Sequence, residues 1–156
     1  MTKILLIGDI HANLPALKAV LDDARKHKYH QIWDLGDFVG YYPFPNEVVE
    51  LLRQHDAVSI IGNYDLKVLA FKKNEKKWKL KKAQEKFTAF QWTYEHLSRE
   101  NRKYLESRPE QKRLEINGFK ILLTHGSPAS NEDYICAQTT KQRLRELSQL
   151  ADADIV

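Results

Sequence analysis

The chain has one cysteine, Cys136, and one methionine among its 156 residues. A single thiol excludes an internal disulfide, and with it the stapled scaffolds of small secreted proteins. A reducing cytoplasm is therefore the expected compartment, with Cys136 a passive side chain rather than a nucleophile. Long apolar runs are also lacking. No segment approaches the roughly 18 residues of a membrane helix. The apolar run Ile4 to Ile7 stops at Gly8-Asp9, leaving neither the h-region nor the small-residue cleavage site of a signal peptide. No internal repeat and no low-complexity linker interrupts the chain, whose length suits one domain or most of one.

Acidic residues are scarce in one place. Between Leu66 and Lys86 stand nine lysines against Glu75 and Glu85, a local +7 on a chain of net +4, so the remainder carries −3. A basic segment on a mildly acidic body suggests an anionic partner beside it; the alternative is a solvated helix face that maintains solubility.

The apolar pattern is that of alternating elements. Lys3 to Gly8 reads as a buried strand. Asn13 caps a helix with Pro15 in its first turn and Leu14, Leu17, Val20, Leu21 and Ala24 at helical spacing. Gln31 to Leu35 is a second strand. Asn46 is the expected cap of a helix over Glu47 to Arg53, and Ala57 to Ile61 is a third strand. Strand, helix, strand, helix, strand calls for an α/β fold with parallel strands and right-handed crossovers. Residues 66 to 106 turn helical, charged and aromatic, and read as two or three helices covering the body. Ser98 and Asn101 open a further short helix before Pro109. Asn117-Gly118 joins Arg113–Ile116 to Phe119–Thr124 as a hairpin. Thr139 to Leu150 is amphipathic, and Ala153 to Val156 begins another strand.

Four strands end in similar punctuation: Gly8-Asp9-Ile10-His11, Gly36-Asp37, Gly62-Asn63, and Thr124-His125-Gly126. Ligands in open α/β sheets bind beyond the carboxyl ends of the strands. Asp9, His11, Asp37, Asn63 and His125 are thereby delivered toward one edge. Carboxylate, imidazole and amide donors together suit Mn, Fe or Zn better than Ca or a thiolate-bound ion. Ser127 beside Gly126 could suggest a nucleophile, but Ser127-Pro128 reads better as a turn.

These blocks resemble those of the calcineurin-like metallophosphoesterase superfamily, marked by GD-x-H, GD, GN-H-D/E, H and G-H-x-H. Here they stand as Gly8-Asp9-Ile10-His11, Gly36-Asp37, Gly62-Asn63-Tyr64-Asp65 and Thr124-His125-Gly126. Leu35 to Pro43 (LGDFVGYYP) and His125 to Pro128 (HGSP) are similar to the small bacterial branch. The resemblance spans essentially the whole chain. It implies two packed mixed β-sheets flanked by helices, an α/β/β/α sandwich incomplete at the carboxyl terminus. Residues 1–156 would form a single, partial metallophosphoesterase domain with a helical cover at about 66–106. Asp9 and His11 would bind a first metal ion, Asp37 would bridge to a second, and Asn63 and His125 would complete the second site. Asn63 and Tyr64 occupy the catalytic block.

Two departures stand out. Tyr64 replaces a histidine that usually contacts phosphate or the leaving group. A phenol titrating near pH 10 is a poor proton shuttle at neutral pH, and Asp65 has no adjacent histidine to orient. The family's G-H-x-H, which follows a strand like Ala153 to Val156 and supplies one histidine to each metal, is not in the sequence. The chain as written is therefore expected to hold metal weakly and to be an incompetent enzyme alone.

The implied chemistry is hydrolysis of a phosphate mono- or diester by a hydroxide bridging two divalent cations about 3.5–4 Å apart, without a protein nucleophile. The lysines point to a phosphorylated small molecule such as a nucleotide or dinucleoside polyphosphate, with a phosphoprotein as rival within the same chemistry. A non-catalytic binding or scaffold module with the same fold is the alternative from another class; retention of all five ligands available to this stretch favours an enzyme. Nucleic-acid binding through the lysines would need exposed aromatics for stacking, whereas helical spacing puts them in the core. No membrane partner is expected.

Overall fold

The computed structural model describes residues 2–156. Strands β1 (Ile4–Ile7), β2 (Gln31–Asp34) and β3 (Val58–Ser59) form a parallel sheet in that order. Helices α1 (Leu14–Lys26) and α2 (Pro45–Gln54) connect them. The Asn13 carboxamide caps α1 by accepting from the Ala16 amide at 3.2 Å. β3 is shorter than the apolar run 57–61 predicts. Past Ser59, Ile60 N–H still donates to the Asp34 carbonyl at 3.1 Å, while Ile61 N–H, on the other side of the chain, donates to the Pro109 carbonyl at 2.9 Å.

The sheet is apolar on both faces. Alternation sends Leu5, Ile7 and Ile32 toward α1 and α2, where Leu17, Leu21, Val48, Val49 and Leu52 meet them. Ile4, Trp33, Leu35 and Ile60 face the other way, against Leu114, Ile116, Ile121 and Leu123 of a second sheet. That sheet is the antiparallel pair β4 (Gln111–Ile116) and β5 (Phe119–Thr124). Asn117 (φ 53°) and Gly118 (φ 83°) turn it, both in the left-handed region that a two-residue hairpin loop requires. The strand expected at 153–156 contributes one parallel bridge, Ile155 to Ile121, with Leu122 N–H donating to the Ile155 carbonyl.

Helices α3 (Asn63–Leu69), α4 (Phe71–Lys81) and α5 (Gln84–His96) form the cover, and α6 (Arg99–Glu106) follows. Their aromatics are interior, as helical spacing predicts. Phe71, Phe87 and Phe90 are buried, and Trp78 and Tyr94 pack on them. The lysines of α4 are exposed. Leu147 and Ala151 are the buried face of α7 (Lys141–Ala151), capped by Thr140.

The capping expectation for α2 is corrected. Pro45 occupies the first turn, where its missing N–H costs nothing, and Asn46 already lies within the helix. The Asn46 side chain instead accepts from the Ser98 amide (2.8 Å) and Asn101 Nδ2 (3.1 Å), joining α2 to the start of α6.

Candidate metal centre

The segments after β1, β2 and β5 and the first residue of α3 meet at one edge of the sheets. Asp9 (φ 53°), His11 (φ 49°), Ala12 (φ 63°) and Asp37 (φ 58°) all adopt left-handed backbone. Such conformations cost non-glycine residues on the order of 1 kcal/mol each and persist only when their surroundings enforce them. Here backbone hydrogen bonds link the two loops. Asp9 N–H donates to the Gly36 carbonyl at 3.0 Å, His11 to Asp37 at 2.8 Å and Ala12 to Phe38 at 2.6 Å. The third loop enters as closely. A Cβ on Gly36 (φ 93°) would strike the Gly62 backbone, and one on Gly62 would strike the Asp37 side chain and amide.

Asp37, 2% exposed, lies at the centre. Nε2 of His11 and Nε2 of His125 each approach its Oδ2 to 3.6 Å, and His11 Nε2 is also 3.6 Å from Asp9 Oδ1. One donor atom from each of Asp9, Asp37 and His125 lies within 4.8 Å of the other two. Two ligand atoms about 2.1 Å from a shared ion stand roughly 3–3.5 Å apart, so these gaps are close to that spacing and too long for hydrogen bonds.

The histidines are held in the required sense. Nδ1 of His11 is 3.2 Å from the Val39 carbonyl, and Nδ1 of His125 is 2.8 Å from the Leu35 carbonyl. A carbonyl only accepts, so Nδ1 carries a proton and Nε2 is the ring nitrogen turned toward the carboxylates. Tyr64 N–H donates to Asp37 Oδ1 at 2.8 Å, which leaves Oδ2 toward both imidazoles.

Asn63 is 3% exposed. Its Nδ2 donates to the Tyr134 hydroxyl at 2.7 Å, whereas Oδ1 is buried without a hydrogen-bond partner. A buried, unpaired amide oxygen is costly unless something absent from the protein atoms satisfies it. The acids around it make the same demand. Burial raises the Asp37 carboxyl, opposed by the Tyr64 N–H, His125 and His11. A divalent cation would relieve both costs, and the residues present fit one.

The roles of three neighbours escape sequence reasoning. Asp65 is fully buried and has another task than orienting a histidine. It accepts from the backbone amides of Asp37 (2.9 Å), Gly62 (3.0 Å) and Val39 (3.0 Å), locking the second loop to the third. Burial and then the charge of Asp37 push its carboxyl up to about 7. Asp34, the last residue of β2, is fully buried with both oxygens unpartnered. Burial, followed by the charge of Asp65, holds its carboxyl well above the ordinary range. Tyr134, on the loop after β5, reaches Asn63 across 71 positions, a separation no local pattern signals. A carboxylate inside the apolar run Ile32-Trp33-Asp34-Leu35 was the one available hint of Asp34.

Tyr64 stacks edge-on against His11, with ring centres 5.0 Å apart, and its hydroxyl meets that of Tyr41 at 2.5 Å. Ser127 is buried and donates to Asp133, which also pairs with Arg143 at 2.8 Å. The Ser127 hydroxyl is thereby committed to a hydrogen bond within this turn. A cavity of about 590 Å³ lined by Asp9, His11, Asn13 and Tyr42 opens beside the cluster. Another, of about 710 Å³ and lined by Leu5, Val20 and Tyr29 among others, lies away from it, between β1 and α1.

The family model for calcineurin-like phosphoesterases matches residues 2–155. A protein of Methanocaldococcus jannaschii, MJ0912, itself uncharacterised, is 37% identical over 134 residues, covering 83% of this chain and 51% of the relative. The crystal structure of a metallophosphoesterase from Sphaerobacter thermophilus is 38% identical, with a TM-score of 0.65, over 86% of this chain and 51% of that one. The fold is shared with PH1004 of Pyrococcus horikoshii OT3 at a TM-score of 0.80, 23% identity and coverage of 96% and 65%. It is shared also with a candidate diadenosine tetraphosphatase at 0.57, 22% identity and coverage of 92% and 60%. The chain thus spans about half the length of the first two. Among the described residues no helix is long and apolar enough to cross a membrane. Motif order, left-handed loop residues and family match agree: the chain belongs to the calcineurin-like phosphoesterase family.

Proposed function

We propose that this chain carries the metal-binding residues Asp9, His11, Asp37, Asn63 and His125 of a phosphoesterase site that hydrolyses phosphate mono- or diesters of small molecules. The observation that carries the reading is the convergence of His11 and His125 on one oxygen of buried Asp37. Asp9 and His11 would hold one divalent cation, Asn63 and His125 a second, and Asp37 would reach both through Oδ2. Mn, Fe or Zn suits this mixed set of oxygen and imidazole donors. Bound there, such cations supply Lewis-acid polarisation of a phosphoryl oxygen and a water of lowered pKa.

The chain's own residues do the rest. The Val39 and Leu35 carbonyls fix the imidazole tautomers, and Tyr64 N–H and Asp65 keep Asp37 and its loop rigid. Asn63, anchored by Tyr134, directs Oδ1 for ligation. Tyr64 borders the substrate side and packs His11 in place; its phenol is a hydrogen-bonding group rather than a proton shuttle. No side-chain nucleophile is needed, which agrees with the turn role of Ser127. A nucleotide or dinucleoside polyphosphate is the favoured substrate class, in keeping with the lysine-rich cover and with the candidate diadenosine tetraphosphatase that shares the fold.

Hydrolysis of p-nitrophenyl phosphate and bis(p-nitrophenyl) phosphate by the full-length protein with added Mn²⁺ tests this. Activity that chelator abolishes and Asp37→Asn lowers by about 100-fold, roughly 2.7 kcal/mol in barrier, is expected. Unchanged turnover in Asp37→Asn would overturn the reading.

A further inference from the structure

Three lysines from three parts of the cover converge beside Tyr64. Lys67 Nζ of α3 lies 5.3 Å from the Tyr64 ring centre and Lys86 Nζ of α5 lies 6.0 Å from it. Lys82 Nζ, from the turn between α4 and α5, sits over Trp78 at 4.8 Å and over Phe90 at 5.4 Å. Phe90 in turn packs edge-on against Tyr64, with centres 5.1 Å apart. Tyr64 directly follows Asn63 and touches His11, so these ammonium groups border the candidate metal centre.

Their charge is mostly uncompensated. Glu132 pairs with Lys67 at 2.6 Å, and among the described residues no salt bridge engages Lys82 or Lys86. The cations also feel one another: after burial, Lys67 and Lys86 are the main influences that lower the Lys82 ammonium. Gathering like charges with one counter-charge is unfavourable until an anion joins them. Lys86 is exposed and Lys82 half-buried, so an anion reaches these two from solvent. The cavity of about 310 Å³ beside Lys67, whose lining includes Glu110 and Glu132, is not lined by either. The other lysines of α4, including Lys76 and Lys79, are exposed and lie over none of these rings.

We propose that Lys67, Lys82 and Lys86 form an anion subsite for the phosphates of a substrate beyond the one at the metal centre, which selects esters carrying a polyphosphate chain. This rests on the phosphoesterase reading for the identity of the neighbouring site. Aromatic rings beneath the ammonium groups hold them in position while their outer hydrogens remain free for phosphate oxygens.

The test is binding, measured without metal, so it stands apart from turnover. The chain, treated with chelator, is titrated with inorganic tripolyphosphate and with orthophosphate by calorimetry at fixed ionic strength. Wild type is expected to bind tripolyphosphate at least tenfold more tightly than orthophosphate. Lys82→Gln/Lys86→Gln should lose on the order of tenfold, as two partly exposed ion pairs predict. Lys76→Gln/Lys79→Gln, with the same net charge, should bind like wild type. Equal losses in both double variants would reveal only the general field of the basic helices and overturn the subsite. Unchanged binding in Lys82→Gln/Lys86→Gln, with only a lowered melting temperature, would assign these lysines to cation–π packing and overturn it too. Tighter binding of a short single-stranded oligonucleotide than of tripolyphosphate would overturn the small-molecule assignment. Tripolyphosphate binding as expected, in a protein that hydrolyses no phosphate ester, would refute the phosphoesterase reading while leaving the anion site in place.

Discussion

Asp34 has the environment least suited to its chemistry. A carboxyl group with both oxygens buried and unpartnered is tolerable as the neutral acid, and Asp65 beside it is raised to about 7. Both groups hold a proton more tightly in the folded chain than in the unfolded one, where aspartate titrates near 3.9. Their contribution to stability is therefore full below about pH 4 and is lost as pH rises through the folded values. Metal-free protein should accordingly melt several degrees lower at pH 8 than at pH 6. Asp34→Asn, which is neutral throughout, should flatten that slope. Thermal melts in chelator across this range check it, and an identical slope in the variant would show that Asp34 is ionised at little cost. Asp9, His11, Asp37, Asn63 and His125 were legible in the sequence because each follows an element boundary with its own glycine or short motif. Asp34, Asp65 and Tyr134 act through burial and long-range contact, which local pattern does not encode.

The loops depend on close approach as much as on side chains. Gly62 leaves space for Asp37, and Gly36 leaves space for Gly62. Gly62→Ala should therefore cost about 2–4 kcal/mol, because backbone rather than a flexible side chain would have to move. Gly118→Ala, at a left-handed position with no neighbour within 4 Å, should cost only about 1 kcal/mol. Urea unfolding of the two variants checks the difference, and similar midpoints would mean that the loops are looser than this packing implies. The same distinction explains which elements were readable. The Asn117-Gly118 hairpin and the Asn13 cap follow local backbone chemistry and appear where the sequence puts them. The α2 start and the length of β3 were not readable. Asn46 is committed to α6 and Ile61 to Pro109, both by tertiary hydrogen bonds.

The molecule combines two sheets whose facing sides form one core, while α1, α2 and the helical cover form the other with the opposite side of the first sheet. That arrangement brings strand ends from both sheets to one edge: Asp9, His11 and Asp37 from the first, His125 from the second. Order of strands and helices made the α/β class and the shared edge legible. The relation of cover to site was not, because the lysines of 66–86 look equivalent along the sequence, while only Lys67, Lys82 and Lys86 reach the aromatic cluster beside Tyr64. The central claim is that Asp37 joins two halves of one metal centre. Titration of chelator-treated protein with Mn²⁺, followed by electron paramagnetic resonance, tests it most directly. Wild type should bind Mn²⁺ at this cluster, and Asp37→Asn should weaken binding at least tenfold, since a neutral amide replaces the carboxylate that both histidines face. Equal Mn²⁺ affinity in wild type and Asp37→Asn, or no binding by either, would contradict it.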